Sequence, residues 1–252
     1  MNKRLQLLFL SFLVLAIFAC KKTPDNYQLP EEGFEYYPLE IGKYHIYEVD
    51  SVIFDPQSGG TLVRENKIFI KEEIIDTLRD NEDKLAYKIE RFERASDTLP
   101  WQISSVFTAA LHEENRQALR TEDNFRFIKM IFPVQNFKNW DGNVHFDEQA
   151  TIQVEGETLQ MFKAWAYRMD NVGAPDTLGV FNFDETLNIN QADSENAIEL
   201  RIAFEKYAKG IGLYYRELWI LDTQCIEDCV GQIWEEKAEK GFILKQKLIE
   251  HN

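Results

Sequence analysis

Histidine and cysteine are scarce in this chain, with four and three among 252 residues. None of His45, His112, His145 and His251 lies in an H-E-x-x-H arrangement. His112 is followed by Glu113-Glu114-Asn115 and lacks the second histidine that would share a metal one helical turn on. Phosphate cradles are missing too: Gly210-Ile211-Gly212 lacks the third glycine of a dinucleotide loop. No Walker sequence and no G-x-S-x-G elbow occurs. Basic residues are in deficit, 28 Lys and Arg against 43 Asp and Glu, for a formal net charge of −15. Nucleic-acid binding depends on neutralising phosphates with Lys and Arg, so that partner class is excluded. After Phe18 no apolar run approaches the roughly 20 residues needed to span a bilayer.

The first nineteen residues form an address label. Lys3 and Arg4 precede an almost wholly apolar stretch from Leu5 to Phe18, which Lys21-Lys22 stops short of a membrane span. A basic start followed by a short apolar core is the layout of a secretory signal, residues 1–19. Ile17-Phe18-Ala19-Cys20 then resembles the lipobox of bacterial lipoproteins, although Phe18 is bulkier than the residue usual there. The resemblance implies that the Cys20 thiol receives a diacylglyceryl group, that the signal is cut before it, and that the new amino group is acylated with palmitate-like chains. At roughly 0.8 kcal/mol per buried methylene, two or three chains would make such an anchor effectively permanent. Residues 20–35 hold two prolines, polar residues and little to bury, and read as the lipidated N-terminus and a flexible tether. The thirteen residues after Cys20 could reach about 45 Å when extended.

An exported chain meets an oxidising compartment. Cys225 and Cys229, with three residues between them, then read as a local disulfide. A metal site would want four ligands, and a redox pair usually has two intervening residues. So short a loop would shape its surroundings more than it stabilises the fold. Loss of Lys3 and Arg4 with the signal makes the mature chain two charges more acidic, which favours solubility.

Along residues 36–252 the dominant signal is alternation with period two. In AIELRIAFE, Ile198, Leu200, Ile202 and Phe204 fall on one face and Glu199, Arg201 and Glu205 on the other. KLAYKIE behaves likewise, and TIQVEGETLQMFKAWAYR and TLNINQ are further strands, interrupted at Gly156 and by a loop DNVGAPDTLG. GKYHIYEVDSVIF and TLVRENKIFIKEEI form a hairpin about DPQSGG. SSVFTAALHEENRQALRT has helix-favouring composition but is read as strand, and WEEKAEKG as one helical turn closed by Gly241. The expected fold is therefore mainly β. It is a single domain, either a curved antiparallel sheet or an incomplete β-barrel with little helix.

YYPLEIGKYHIYEVDSV, FPVQNFKNWDGN, EKYAKGIGLYYRE and KGFILKQKLIEHN look like landmarks of an uncharacterised lipoprotein family common in Bacteroidetes. The resemblance covers most of the mature chain and implies no activity, because that family brings no catalytic residues to transfer. In Bacteroidetes-type lipoproteins an acidic cluster after the cysteine tends to mark surface export, and Lys21-Lys22 stand there instead. The expected address is the outer membrane, lipid-anchored and facing the periplasm, with the cell surface as the alternative.

Catalytic, cofactor and metal residues are expected to be none. Asp141, Asn143, His145 and Asp147 alternate faintly like a calcium loop, but its sixth position is Phe146 and its twelfth Ile152. Acidic pairs such as Asp184-Glu185 and Glu235-Glu236 read as solvated surface. The compositional oddity is aromatic, with 18 Phe, 10 Tyr and 5 Trp, the last at positions 101, 140, 165, 219 and 234. These rings either fill the inside of a curved sheet or line a concave site. The functional expectation is a non-catalytic envelope lipoprotein acting as a binding or accessory component with an envelope partner. The alternative is a carrier or sensor of a small apolar, lipid-like ligand in a cavity of the sheet, and the second alternative an enzyme with dispersed catalytic residues.

Overall fold

The computed structural model describes residues 32–58 and 60–252, and the signal, Cys20 and most of the tether lie outside them. The compact unit runs from Glu32 to Asn252. A first meander comprises β1 (Tyr44–Gln57), β2 (Gly60–Arg79), β3 (Leu85–Arg94), β4 (Gln102–His112), β5 (Gln117–Glu122) and β6 (Phe125–Ile131). After β7 (Asn139–Trp140) and a small separate hairpin, β8 (Ile152–Val154) with β9 (Glu157–Leu159), a second meander follows. It comprises β10 (Tyr167–Leu178), β11 (Phe181–Glu195), β12 (Glu199–Ala208), β13 (Gly212–Asp222) and β14 (Lys240–His251). One helical turn, α1 (Trp234–Lys237), precedes β14.

The meanders join where the two ends of the unit meet, because β1 pairs antiparallel with β14 and Tyr47 stands opposite Leu248. The resulting sheet of twelve strands runs β6-β5-β4-β3-β2-β1-β14-β13-β12-β11-β10-β7 and curls into a nearly closed barrel. Its free edges are clasped without a regular ladder. The Ile128 amide donates to the Gly142 carbonyl at 2.8 Å, and Trp140 Nε1 donates to the Ile128 carbonyl at 2.8 Å. Gly142 is required there by close approach, since an added Cβ would lie 2.4 Å from the Tyr167 ring. Tyr167 in turn donates to Asn143 Oδ1 at 2.9 Å. Every member of Trp140-Asp141-Gly142-Asn143 thus serves the clasp, Asp141 by accepting the Asn143 amide.

The barrel is filled from all sides. Tyr36 and Tyr37 enter from the N-terminal segment, and Ile74, Ile89, Phe107, Met130, Met169, Leu187 and Tyr207 come from the strands. Burial of such side chains, at roughly 1.5–3 kcal/mol each, is the main stabilising contribution.

Four details differ from the sequence reading. TIQVEGETLQMFKAWAYR is not strand throughout, since β9 ends at Leu159 and β10 begins only at Tyr167. DNVGAPDTLG is not a loop: nine of its ten residues belong to β10, which absorbs Asn171 (φ 55°) and Gly173 (φ 78°) as a bulge between Asp170 and Ala174. DPQSGG is mostly strand, with Asp55 to Gln57 in β1. Gly241 does not close the helical turn, which ends at Lys237. It lies in β14, where a Cβ would come within 1.9 Å of the Ile220 carbonyl oxygen. SSVFTAALHEENRQALRT forms the β4–β5 hairpin.

Candidate functional site

The alternation in AIELRIAFE marks a strand but disguises which side faces inward. In β12 the interior side carries Arg201, Ala203, Glu205 and Tyr207, all at most 2 % exposed, while Ile202 and Phe204 remain half-buried outside. The barrel therefore contains charge. On β2 and β3, Glu72 stands opposite Arg91, and on β12 and β13, Glu205 stands opposite Arg216. Glu72 accepts from Arg91 at 2.7 Å and from both terminal nitrogens of Arg120, at 2.8 and 3.1 Å. Glu122 receives Arg120 at 2.7 Å and Arg91. The Phe107 ring lies beneath both guanidinium groups, 3.9 Å from that of Arg120.

A second knot centres on Glu205. Its Oε1 accepts from Lys129 Nζ at 2.6 Å and from Arg216 Nε at 2.8 Å, and its Oε2 accepts from the Tyr207 hydroxyl at 2.7 Å. Burial pushes the Glu205 carboxyl up, but Lys129 and Arg216 outweigh it and hold the group at about 2. Glu122 is likewise held at about 2, its two arginines overcoming burial. Burial drives the Lys129 ammonium down to about 8, with Glu205 opposing. Such pairs have to be complete, because removing one partner of a buried pair leaves a bare charge and costs about 3–5 kcal/mol.

A cavity of about 290 Å³ opens above these knots. Arg120, Glu122, Lys129, Gln191, Glu205 and Arg216 lie on its polar side, and Phe125, Phe127, Met161, Phe162, Trp165 and Leu218 supply its apolar side. Asp123 and Gln153, both exposed, mark the mouth. The aromatic wall is self-supporting: Phe162 meets Phe125, Phe146 and Trp165 at centroid distances of 4.9, 4.9 and 5.4 Å, mostly edge to face. Ring faces so engaged suit a compact apolar body better than a stacked sugar.

Gln191 reaches the cavity because β11 bulges between Asn190 and Ala192, which turns a residue out of the alternation. It is 1 % exposed, and its Nε2 has no hydrogen-bond partner among the described residues. At the other end of the barrel a smaller cavity, about 60 Å³, is lined by Tyr37, His45, Tyr47, Glu72 and Arg120. Burial lowers the His45 imidazole to about 4, and its Nε2 donates to the Ile211 carbonyl at 2.7 Å.

The residues singled out in the sequence stand apart from this site. Cys20 lies outside the described residues. Cys225 and Cys229 are joined as a disulfide, Cα–Cα 5.7 Å, in the loop after β13 and line neither cavity. Asp141, Asn143 and Asp147 are engaged in local hydrogen bonds, and no group of three metal-ligating side chains forms among the described residues. Asp184, Glu185, Glu235 and Glu236 are exposed. Among the tryptophans only Trp165 lines the larger cavity, while Trp101 stacks on the Arg94 guanidinium at 4.2 Å and Trp140 serves the clasp. The polar side of the cavity escaped sequence reading: counting outward from the Gly-containing hairpin would set Glu205 opposite Tyr215, and only the bulge between Lys206 and Tyr207 brings Arg216 opposite it.

No family model matches this chain, and no curated protein matches it. Among solved structures it is similar to a putative lipoprotein from Parabacteroides distasonis ATCC 8503. The two share 9 % identity at a TM-score of 0.38, over 86 % of this chain and 98 % of that one. So loose a likeness assigns this chain neither fold nor function. Among the described residues no helix is long and apolar enough to cross a membrane.

Proposed function

We propose that this chain is a Bacteroidetes-type envelope lipoprotein, anchored through Cys20 to the outer membrane and facing the periplasm, whose barrel binds a small ligand without transforming it. The observation that carries the binding reading is the cavity of about 290 Å³, apolar on one side and densely hydrogen-bonded on the other. That combination characterises small-molecule sites, and the volume, at the low end of their range, suits a single short chain or ring. The non-catalytic reading is supported by the engagement of the interior carboxylates. Glu205 accepts three donors and is held at about 2, which makes it a weak base at neutral pH.

The anchor reading rests on the residues around Cys20. Intact-mass measurement of protein from its own membranes tests it. The expected chain begins at Cys20 and carries a diacylglyceryl group, whereas an unmodified Cys20 would overturn the anchor. Binding is read by Trp165 at the cavity wall. Titration with eight-carbon amphiphiles is expected to change tryptophan emission saturably, and the Trp165→Phe protein to lose most of that change. No response to any of them would overturn the binding reading.

A further inference from the structure

We propose that the larger cavity selects a small amphiphile with a carboxylate head, received by Gln191, Lys129 and Arg216, its apolar body lying among Phe125, Phe127, Phe162 and Trp165. This rests on the binding reading above and adds the chemical class of ligand.

Three observations point to that head group. Gln191 lines the cavity at 1 % exposure with an N–H donor that no described residue accepts, an arrangement that costs stability unless something else accepts it. Lys129 and Arg216 converge on one oxygen of one acid, Glu205 Oε1, and neither has a second carboxylate within ion-pair distance among the described residues. An ammonium carries three donors, and a single protein acceptor leaves Lys129 with capacity for an incoming oxygen. The balance of charge agrees. The two knots comprise four cations, Arg91, Arg120, Lys129 and Arg216, against three acids, Glu72, Glu122 and Glu205. One further negative charge would make the two knots neutral together. In a chain with net charge −15 a buried excess of positive charge runs against composition and gives a monoanion a reason to enter.

The class is narrowed by what surrounds these donors. Asp123 at the mouth disfavours a head with two negative charges, which sets a carboxylate above a phosphate monoester. A cationic head would meet Lys129 and Arg216, and a neutral head would leave the excess charge uncompensated. The aromatic wall begins at Phe127, whose ring lies 5.6 Å from Lys129 Nζ, so head and body sites are contiguous.

The experiment measures the affinity of the full chain in lipid nanodiscs, with empty nanodiscs subtracted, for octanoate, octan-1-ol and octylammonium. Octanoate is expected to bind at least about tenfold tighter than either analogue, since a charge-assisted hydrogen bond contributes about 1.5–3 kcal/mol and 1.4 kcal/mol is tenfold. Gln191→Leu is expected to weaken octanoate about tenfold and octan-1-ol by less. Its melting temperature shows that it folds. Equal binding of all three probes, or a preference for octylammonium, overturns the head-group assignment and leaves the binding reading standing. A preference for octanoate that survives both Gln191→Leu and Lys129→Met also overturns it. Failure of all three to bind overturns both.

Discussion

At the scale of single residues, the interior is organised by a few polar side chains whose value depends on their partners. Glu205 joins β6, β12 and β13 by binding Lys129 and Arg216. Glu205→Ala leaves two buried cations unpaired and is expected to cost about 3–5 kcal/mol in denaturant unfolding. A loss below 1 kcal/mol would show that water already screens the knot. Gln191 makes the opposite case. Gln191→Leu removes an orphaned buried donor worth about 1–3 kcal/mol, so the melting temperature is expected to rise by about 2–4 °C per kcal/mol recovered, and a fall would show that the amide has a structural partner. Neither role was legible in the sequence. Arg201 and Glu205 looked like the solvent side of an alternating strand, because hydrophobicity usually marks the inside and here the inside is partly ionic.

At the scale of elements, period-two alternation placed most strands, and turn chemistry placed the β1–β2 hairpin and the turn at Gly156. What it missed has a local cause. Asn171 and Gly173 are turn-formers by composition, yet the structure uses their positive φ to bulge β10 and keep it paired on either side. The bulge at Gln191 is likewise silent in sequence, since it is set by register against β12. The clasp between β6 and β7 was half legible. Asp141-Gly142 has the composition of a turn, but Gly142 is needed because the Tyr167 ring lies where a Cβ would be. Gly142→Ala is therefore expected to loosen the clasp. Hydrogen exchange checks this: the Ile128 amide and its neighbours in β6 should lose protection, while β1 and β14, paired on both sides, should keep theirs. Uniform loss across the barrel would contradict an independent clasp.

At the scale of the whole molecule, an acidic chain encloses two ion-pair knots with one cation in excess between them, and the buried pairs link stability to pH. Glu205 and Glu122 titrate near 2 when folded against an ordinary value of 4.5, and Glu72 is lowered in the same direction. Their contribution is complete above pH 4.5 and is lost as pH falls through the folded values. For Glu205 alone the shift corresponds to on the order of 3 kcal/mol. Melting followed by circular dichroism from pH 5 to pH 2 should show a steep fall, lessened in Glu205→Gln, and a flat profile down to pH 3 would contradict the buried ion pairs.

The same interior defines the central claim, that the barrel holds a small ligand above its ion pairs. Native mass spectrometry of the protein taken from its own envelope tests this most directly. The account predicts one small, singly anionic amphiphile retained per chain, and its loss when Leu218→Trp fills the cavity. Wild-type protein that carries no such molecule, or that carries it equally after the cavity is filled, would contradict the account.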